Sequence, residues 1–190
     1  VVLALVKRSD ACQLHFSQLK FYKDEFLQIL KIGLPAGIQG SLFSISNVII
    51  QSSINSFGSA VMSGNAAALN IEGFIYIVLN AFHQTTLNFT GQNVGANKYR
   101  REKKVFIICL ICVFVIGITL SLTMYLLGPQ LLSIYITDSQ EAIECGLLRM
   151  SCLFIPYFLL GLMDVSGGGL RGMGVSVAPM IISVIGVCGF

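Results

Sequence analysis

The segment VFIICLICVFVIGITLSLTMYLL, residues Val105–Leu127, contains no charged side chain. An α-helix of about 20 apolar residues is long enough to cross the hydrocarbon core of a bilayer. Soluble domains carry roughly 25% charged residues, whereas this chain of 190 residues carries 11% and is 55% hydrophobic. The sequence therefore predicts an all-α, polytopic transmembrane helix bundle rather than a soluble domain.

Further apolar runs on both sides of this segment predict the other membrane spans. Three are long enough to cross the bilayer, namely residues 32–57, 66–90 and 142–167. We expect a kink in the last of these at Pro156, because proline removes a backbone donor and clashes with the preceding turn. Two shorter runs, residues 1–6 and 177–190, are predicted to be the end and the start of truncated spans.

The segments between the predicted spans are short, polar or basic. Residues 21–31 are expected to form a short amphipathic helix at the membrane surface that leads into the first full span. Gly58–Asn65 is predicted as a turn, and Gln130–Glu141 as a loop that contains Asp138. GGGLRGMG, within Gly167–Gly174, has the glycine content of a phosphate-binding loop but lacks the Lys-Ser/Thr that follows in such loops. We interpret it as a tight turn between packed helices.

The basic residues indicate the orientation of the chain. With these spans, every Lys and Arg except Arg149 falls on one side of the membrane, in residues 7–31, 91–104 and 168–176. Loops rich in Lys and Arg are retained in the cytoplasm. These three segments are therefore predicted to be cytoplasmic, and Arg149 is predicted to lie in the outer part of its span. The small net charge of +3 gives no reason to expect a nucleic-acid partner.

Two of the predicted spans carry polar stripes at helical spacing. Polar side chains in hydrocarbon need partners or water, so two facing stripes favour a cavity that water or a substrate can enter. Alternatively, such residues hold helices together through interhelical hydrogen bonds that average about 0.6 kcal/mol each. The first stripe contains Gly40, Ser44, Asn47, Gln51 and Asn55, and the second contains Glu72, Tyr76, Asn80, His83 and Gln84.

Glu72 is the strongest candidate for a functional residue. A charged side chain at the centre of a transmembrane helix costs about 2.5–3.5 kcal/mol on insertion scales, so such a group is expected to be paired, protonated or bound to a cation. We expect Glu72 to bind a proton or Na⁺, with a structural ion pair to Arg149 as the alternative. His83 and Asp164 are weaker candidates, and packing or local pairing is the alternative for both.

The sequence contains no convincing nucleophile–base set, metal-ligand cluster or nucleotide-binding motif. We therefore expect neither an enzyme nor a cofactor, apart from a coupling ion. Cys109 and Cys112 form a CxxC pair, but both lie within the apolar span, where we expect them to pack as small hydrophobic residues.

Four segments together resemble one family of membrane proteins. KIGLPAGIQGSLFSISN (Lys31–Asn47), AAALNIEGF (Ala66–Phe74), GQNVGANKYRREKK (Gly91–Lys104) and GGGLRGMGVSVAPM (Gly167–Met180) are similar, in this order, to the second half of MATE (multidrug and toxic compound extrusion) transporters. The resemblance covers about residues 27–190, which is nearly the whole chain.

The resemblance implies twelve spans in two pseudo-symmetric bundles that export hydrophobic or cationic compounds in exchange for Na⁺ or H⁺. Residues 7–31 would link the bundles, residues 32–190 would belong to the C-terminal bundle, and the N-terminal bundle would be a missing partner. Glu72 falls where the family often carries an acidic residue. Some branches carry another acidic residue early in the preceding span, but Gln39–Ser46 has none. Asp164 does not match the acidic position of those branches either, so the coupling ion stays open.

Two alternatives to drug export remain open. A flippase for lipid-linked oligosaccharides has a related bundle architecture, but its cavity is expected to be more basic than these stripes, which contain no Lys or Arg. A membrane scaffold or a fragment that transports nothing by itself is the other alternative.

Overall fold

The computed structural model describes residues 6, 20–137, 139–154 and 156–188. No strand occurs among them, which confirms the predicted all-α class. The predicted partial span at residues 1–6, apart from Val6, lies outside the described residues, as do residues 7–19 and Asp138. In chain order, the helices are α1 (Lys23–Asn55), α2 (Ser59–Gly95), α3 (Tyr99–Leu126), α4 (Gly128–Tyr135), α5 (Gln140–Phe154), α6 (Tyr157–Gly172) and α7 (Val177–Cys188).

Three of these helices, α1, α2 and α3, are long and apolar enough to cross a membrane. α5 and α6 together form a fourth candidate span, with a bend of 48° between them. Pro156 stands immediately before α6, and proline interrupts the hydrogen-bond ladder of a helix. The bend therefore lies where the kink was predicted.

The core of the bundle forms around α2, because α3, α5 and α6 all pack against it. Ile71, Ile75 and Leu79 recur every four residues on one face of α2 and are fully buried. They belong to one apolar cluster with Val113 of α3 and Val165 of α6. α1 stands apart from this core, since it packs mainly against α7 and Gln39 is its buried residue.

Glycines allow the backbone of α2 to approach closely the backbones of α5 and α6, which together form the broken span. A Cβ atom at Gly64 would lie 2.2 Å from the carbonyl oxygen of Ala142, and one at Gly172 would lie 2.7 Å from that of Leu87. Small residues permit this kind of close packing between membrane helices. The interpretation of Gly167–Gly174 as a tight turn was wrong, because α6 continues to Gly172 and its glycines serve helix packing.

The helices also extend beyond the predicted spans into the neighbouring polar segments. Residues 23–31 are the first turns of α1 rather than a separate surface helix, and residues 59–65 are the first turns of α2 rather than a turn. Gly58 stands immediately before α2 with a φ of 101°, a left-handed conformation that glycine adopts easily. Hydropathy identifies only the part of a helix that lies in the hydrocarbon core of the bilayer. The backbone hydrogen bonds of the helix continue through the polar residues on either side.

The loops between the helices are shorter than predicted, because the helices extend into them. α2 continues to Gly95 and α3 begins at Tyr99, so most of the basic segment 91–104 is helical. The predicted loop Gln130–Glu141 contains most of α4, and Arg171 lies in the last turn of α6 rather than in a loop.

Candidate functional site

A chain of hydrogen bonds joins polar side chains of α1, α2 and α5. Gln51 Nε2 donates to Asn55 Oδ1 at 2.9 Å, and Asn65 Nδ2 donates to Gln51 Oε1 at 3.0 Å. Arg149 then donates from Nη1 to Asn65 Oδ1 at 2.7 Å and from Nη2 to Glu72 Oε2 at 2.9 Å. We call these five residues the Glu72 cluster. Asn65 and Arg149 therefore link two members of the first predicted stripe, Gln51 and Asn55, to Glu72 of the second.

The ion pair between Glu72 and Arg149 is the charged centre of this cluster. The two side chains are only 21% and 23% exposed, so solvent screens the pair less than it would a surface pair. Removing one partner of a fully buried pair typically costs about 3–5 kcal/mol, because the other charge is left uncompensated, and a partly exposed pair such as this one costs less. The structural alternative for Glu72 is thus present in this structure. The pair shows how its charge is tolerated, and it leaves a role in ion binding as a prediction.

Tyrosines complete the surroundings of the carboxylate. The phenol of Tyr157, at the start of α6, interacts with the charge of Glu72, and Tyr76 of α2 lies close enough to interact with Tyr157. Glu72 therefore interacts with side chains from both helices of the broken span, Arg149 before Pro156 and Tyr157 after it.

A second polar cluster joins α1, α2 and α6 nearer to the predicted cytoplasmic side. Arg171 donates a hydrogen bond to the Gln39 side-chain oxygen, and His83 Nδ1 lies 2.7 Å from the backbone oxygen of Asp164. His83 and Arg171 both interact electrostatically with the Asp164 carboxylate. We call these four residues the Asp164 cluster.

His83 of α2 donates a hydrogen bond to the backbone of α6. A backbone carbonyl oxygen only accepts hydrogen bonds, so Nδ1 of His83 must carry the proton. His83 also packs against Gly168, where an added Cβ would lie 3.1 Å from Nδ1. His83 thus makes a hydrogen-bonded packing contact in this structure, as the alternative for it supposed, and a role in transport stays a prediction.

The remaining candidate residues are not brought into these clusters. Asn47 and Gln84 are exposed and Asn80 is half-buried. A cavity of about 250 Å³ lies elsewhere, between α3 and the ends of α5 and α6 that face each other. Its lining is mostly apolar: Ile118, Ser121, Leu122, Tyr125, Phe154 and Phe158. A substrate cavity between the two polar stripes stays a prediction.

Four residues of these clusters were not among the candidate site residues: Gln39, Asn65, Arg171 and Arg149, the last considered only as a structural partner. One of them carried a signal in the sequence. Gln51 stands seven residues before Gly58 and Asn65 stands seven residues after it, so an antiparallel helix hairpin turning at Gly58 places them at the same level. Gln39 and Arg171 are separated by 132 residues, and only the folded bundle shows that they meet.

Comparison with known proteins places this chain in a family. The sequence model of the MatE family matches residues 35–190. The probable multidrug resistance protein YoeA of Bacillus subtilis is 25% identical over 171 residues, which are 90% of this chain and 37% of that protein. The probable multidrug resistance protein NorM of Thermotoga maritima is 22% identical, over 84% of this chain and 34% of that protein.

A further relative carries a different functional name. The FAD transporter of Shewanella oneidensis is 23% identical, over 85% of this chain and 35% of that protein. The chain thus spans less than two fifths of the length of these relatives. The match of the family model over residues 35–190, together with helices long enough to span a membrane, confirms the resemblance. This multi-pass membrane chain belongs to the MatE family.

Proposed function

We propose that the full-length protein exports hydrophobic or cationic compounds across the cell membrane in exchange for Na⁺ or H⁺. The observation that carries this proposal is Glu72, a carboxylate within a candidate membrane span of a MatE family chain, placed where three helices meet. Ionisable residues in such positions are characteristic of ion and substrate pathways. The lipid bilayer and an N-terminal bundle of the same protein are the expected partners.

Glu72 is the residue proposed to couple ion entry to cargo release. Its carboxylate can hold a proton, Na⁺ or a cationic cargo, but only one of them at a time. Carboxylate oxygens are hard ligands of the kind that suit alkali and alkaline-earth cations, and Glu72 supplies them inside the helix bundle. Entry of the coupling ion at Glu72 would therefore displace a cationic cargo.

The test is dye efflux from cells that express the full-length protein, with a Na⁺ gradient or a proton gradient imposed separately. We expect Glu72→Gln to lower ion-driven efflux at least tenfold, because the amide cannot exchange a proton and binds cations weakly. Glu144→Gln is the matched control, since Glu144 is an exposed carboxylate on α5. Wild-type efflux by the Glu72→Gln variant, at equal protein levels in the membrane, would rule out the role given to Glu72.

A second candidate is export of an anionic compound. Arg149 and Arg171 place positive charges beside the polar stripes, although the stripes themselves contain no Lys or Arg. One relative is named an FAD transporter, and FAD is an anion. Efflux of an anionic fluorophore, measured beside the cationic dye, separates the candidates. Transport of the anion alone, lost in Arg171→Gln, would favour this second candidate.

A further inference from the structure

The Glu72 carboxylate already has a cation beside it, and that cation belongs to the protein. Arg149 Nη2 lies 2.9 Å from Glu72 Oε2. A proton or Na⁺ that binds this carboxylate must compete with the guanidinium for the same negative charge. The proposed coupling site is therefore occupied by an internal positive charge in the conformation described here.

We propose that Arg149 is a built-in competitor for the coupling cation, holding Glu72 when the cation is absent and leaving it when the cation binds. This inference rests on the proposed function, because it gives Glu72 the role of cation site. Arg149 is then a positioning residue rather than a ligand of the ion or the cargo.

The geometry of the pair suits displacement. Arginine can bind a carboxylate through two parallel hydrogen bonds, but here Arg149 contacts one carboxylate oxygen of Glu72 through one nitrogen. Its Nε is buried and has no hydrogen-bond partner among the described residues. The pair is thus weaker than the geometry of arginine would permit, so an incoming cation need not break a two-point contact.

Asn65 explains how Arg149 would return to Glu72. The Asn65 carbonyl oxygen accepts from Arg149 Nη1 at 2.7 Å, while Asn65 itself is held by Gln51. If Nη2 releases Glu72, this second contact keeps the guanidinium beside the carboxylate. A tethered competitor acts at a high effective concentration without leaving the site. Loss of the coupling cation would then be followed at once by rebinding of Arg149.

The other groups near the carboxylate do not supply such a competitor. Tyr157 faces Glu72, and Tyr76 and Asp164 lie close enough to Tyr157 to interact with it electrostatically. None of these three side chains carries a positive charge. In the Asp164 cluster, Arg171 donates to Gln39. Among the described residues, the direct ion pair between an arginine and a carboxylate is that of Glu72.

The test measures cation affinity in the purified full-length protein, by Na⁺ titration at fixed pH and by pH titration in Na⁺-free buffer. If Arg149 competes with the coupling cation, whether Na⁺ or H⁺, Arg149→Gln should bind that cation roughly 10–100-fold more tightly than wild type. The maximal efflux rate of this variant should be lower, because Arg149 no longer helps to release the cation. Arg149→Lys, which keeps a competing charge, should stay within about threefold of wild type. An unchanged or weaker affinity in a monodisperse Arg149→Gln protein overturns the proposal.

Asn65→Ala provides a second test that keeps the charge and removes only the tether. If Arg149 competes with the cation, the cation affinity of Asn65→Ala should be about 3–10-fold higher than that of wild type. If Arg149 is only a fixed repelling charge, the affinity should not change. An unchanged affinity would overturn the proposal even if Arg149→Gln did not fold. The proposed function fails separately, if Glu72→Gln retains ion-driven efflux. Loss of efflux in Glu72→Gln with unchanged cation affinity in both Arg149→Gln and Asn65→Ala would refute the competition alone.

Discussion

Single residues determine how closely the helices approach each other. Gly64 of α2 faces the backbone of α5 so closely that an added Cβ would lie 2.2 Å from the Ala142 oxygen and 3.0 Å from the Gly146 nitrogen. Backbone atoms cannot move aside as the end of a long side chain can. Gly64 also precedes Asn65, so this close approach brings α2 and α5 together where Arg149 donates to Asn65.

At this scale, we predict that Gly64→Ala destabilises the protein by about 1–3 kcal/mol, the usual range for overpacking. The measurement is the thermal midpoint of detergent-solubilised protein, followed by size-exclusion chromatography after heating. Gly73→Ala on the same helix is the control, because no atom lies within 4 Å of its added Cβ. Equal midpoints for the two variants would show that the contact of Gly64 with α5 is not tight in the membrane protein.

At the scale of elements, α1 is a long helix with few attachments to the core. Apart from its contact with α7, it is joined to the bundle by Gln39, which accepts from Arg171, and by Gln51, which accepts from Asn65. These two contacts lie twelve residues apart along α1. Each polar cluster therefore attaches α1 to the bundle at a different level of the membrane.

We predict that Gln39→Leu loosens the N-terminal half of α1. A hydrogen bond from a charged donor contributes about 1.5–3 kcal/mol, so amide hydrogen exchange around residues 35–43 should rise by roughly 10–100-fold. Ser44→Ala is the control, because the Ser44 hydroxyl donates to Gly40 of its own helix and holds no neighbour. Exchange rates in Gln39→Leu that match those of the control would contradict the role given to this contact.

The charge distribution of the whole molecule determines how it lies in the membrane. The connections at residues 56–58 and 96–98 stand at opposite ends of α2. The second adjoins the basic first turns of α3, where Arg100, Arg101, Lys103 and Lys104 lie, whereas the first contains no basic residue. Positively charged segments next to a span stay in the cytoplasm, so we predict that the connection at residues 96–98 lies inside the cell.

Cysteine labelling tests this orientation. In a full-length protein without its native cysteines, Ser56→Cys should react with a membrane-impermeant maleimide on intact cells, and Lys98→Cys should react only after the cells are opened. The two positions serve as each other's control, because a single span separates them. Labelling of both from the same side would contradict the assignment of α2 as a complete span.

Much of the fold follows from the pattern of residues along the chain. The uncharged run at Val105–Leu127 predicted α3, and Pro156 predicted the break between α5 and α6. The helix ends were less predictable, because polar residues such as those at 23–31 and 59–65 continue a helix once its apolar part has formed. The glycines of α6 were assigned to a turn, because glycine content alone does not distinguish a turn from a packing surface.

The candidate site divides in the same way. A carboxylate within an apolar segment needs compensation wherever the chain folds, so the sequence by itself determined that the charge of Glu72 would have to be paired, protonated or bound to a cation. It also determined that the chain would be helical and that it would lie in a membrane. Only the tertiary structure decided that Arg149 is paired with Glu72 and tethered by Asn65, and that Arg171 reaches Gln39 rather than pairing with Asp164. Helix formation and membrane insertion depend on local hydropathy and hydrogen bonding. The choice among several polar partners depends on which helices pack together, and that depends on contacts such as Gly64 with Ala142, which join residues far apart in the chain.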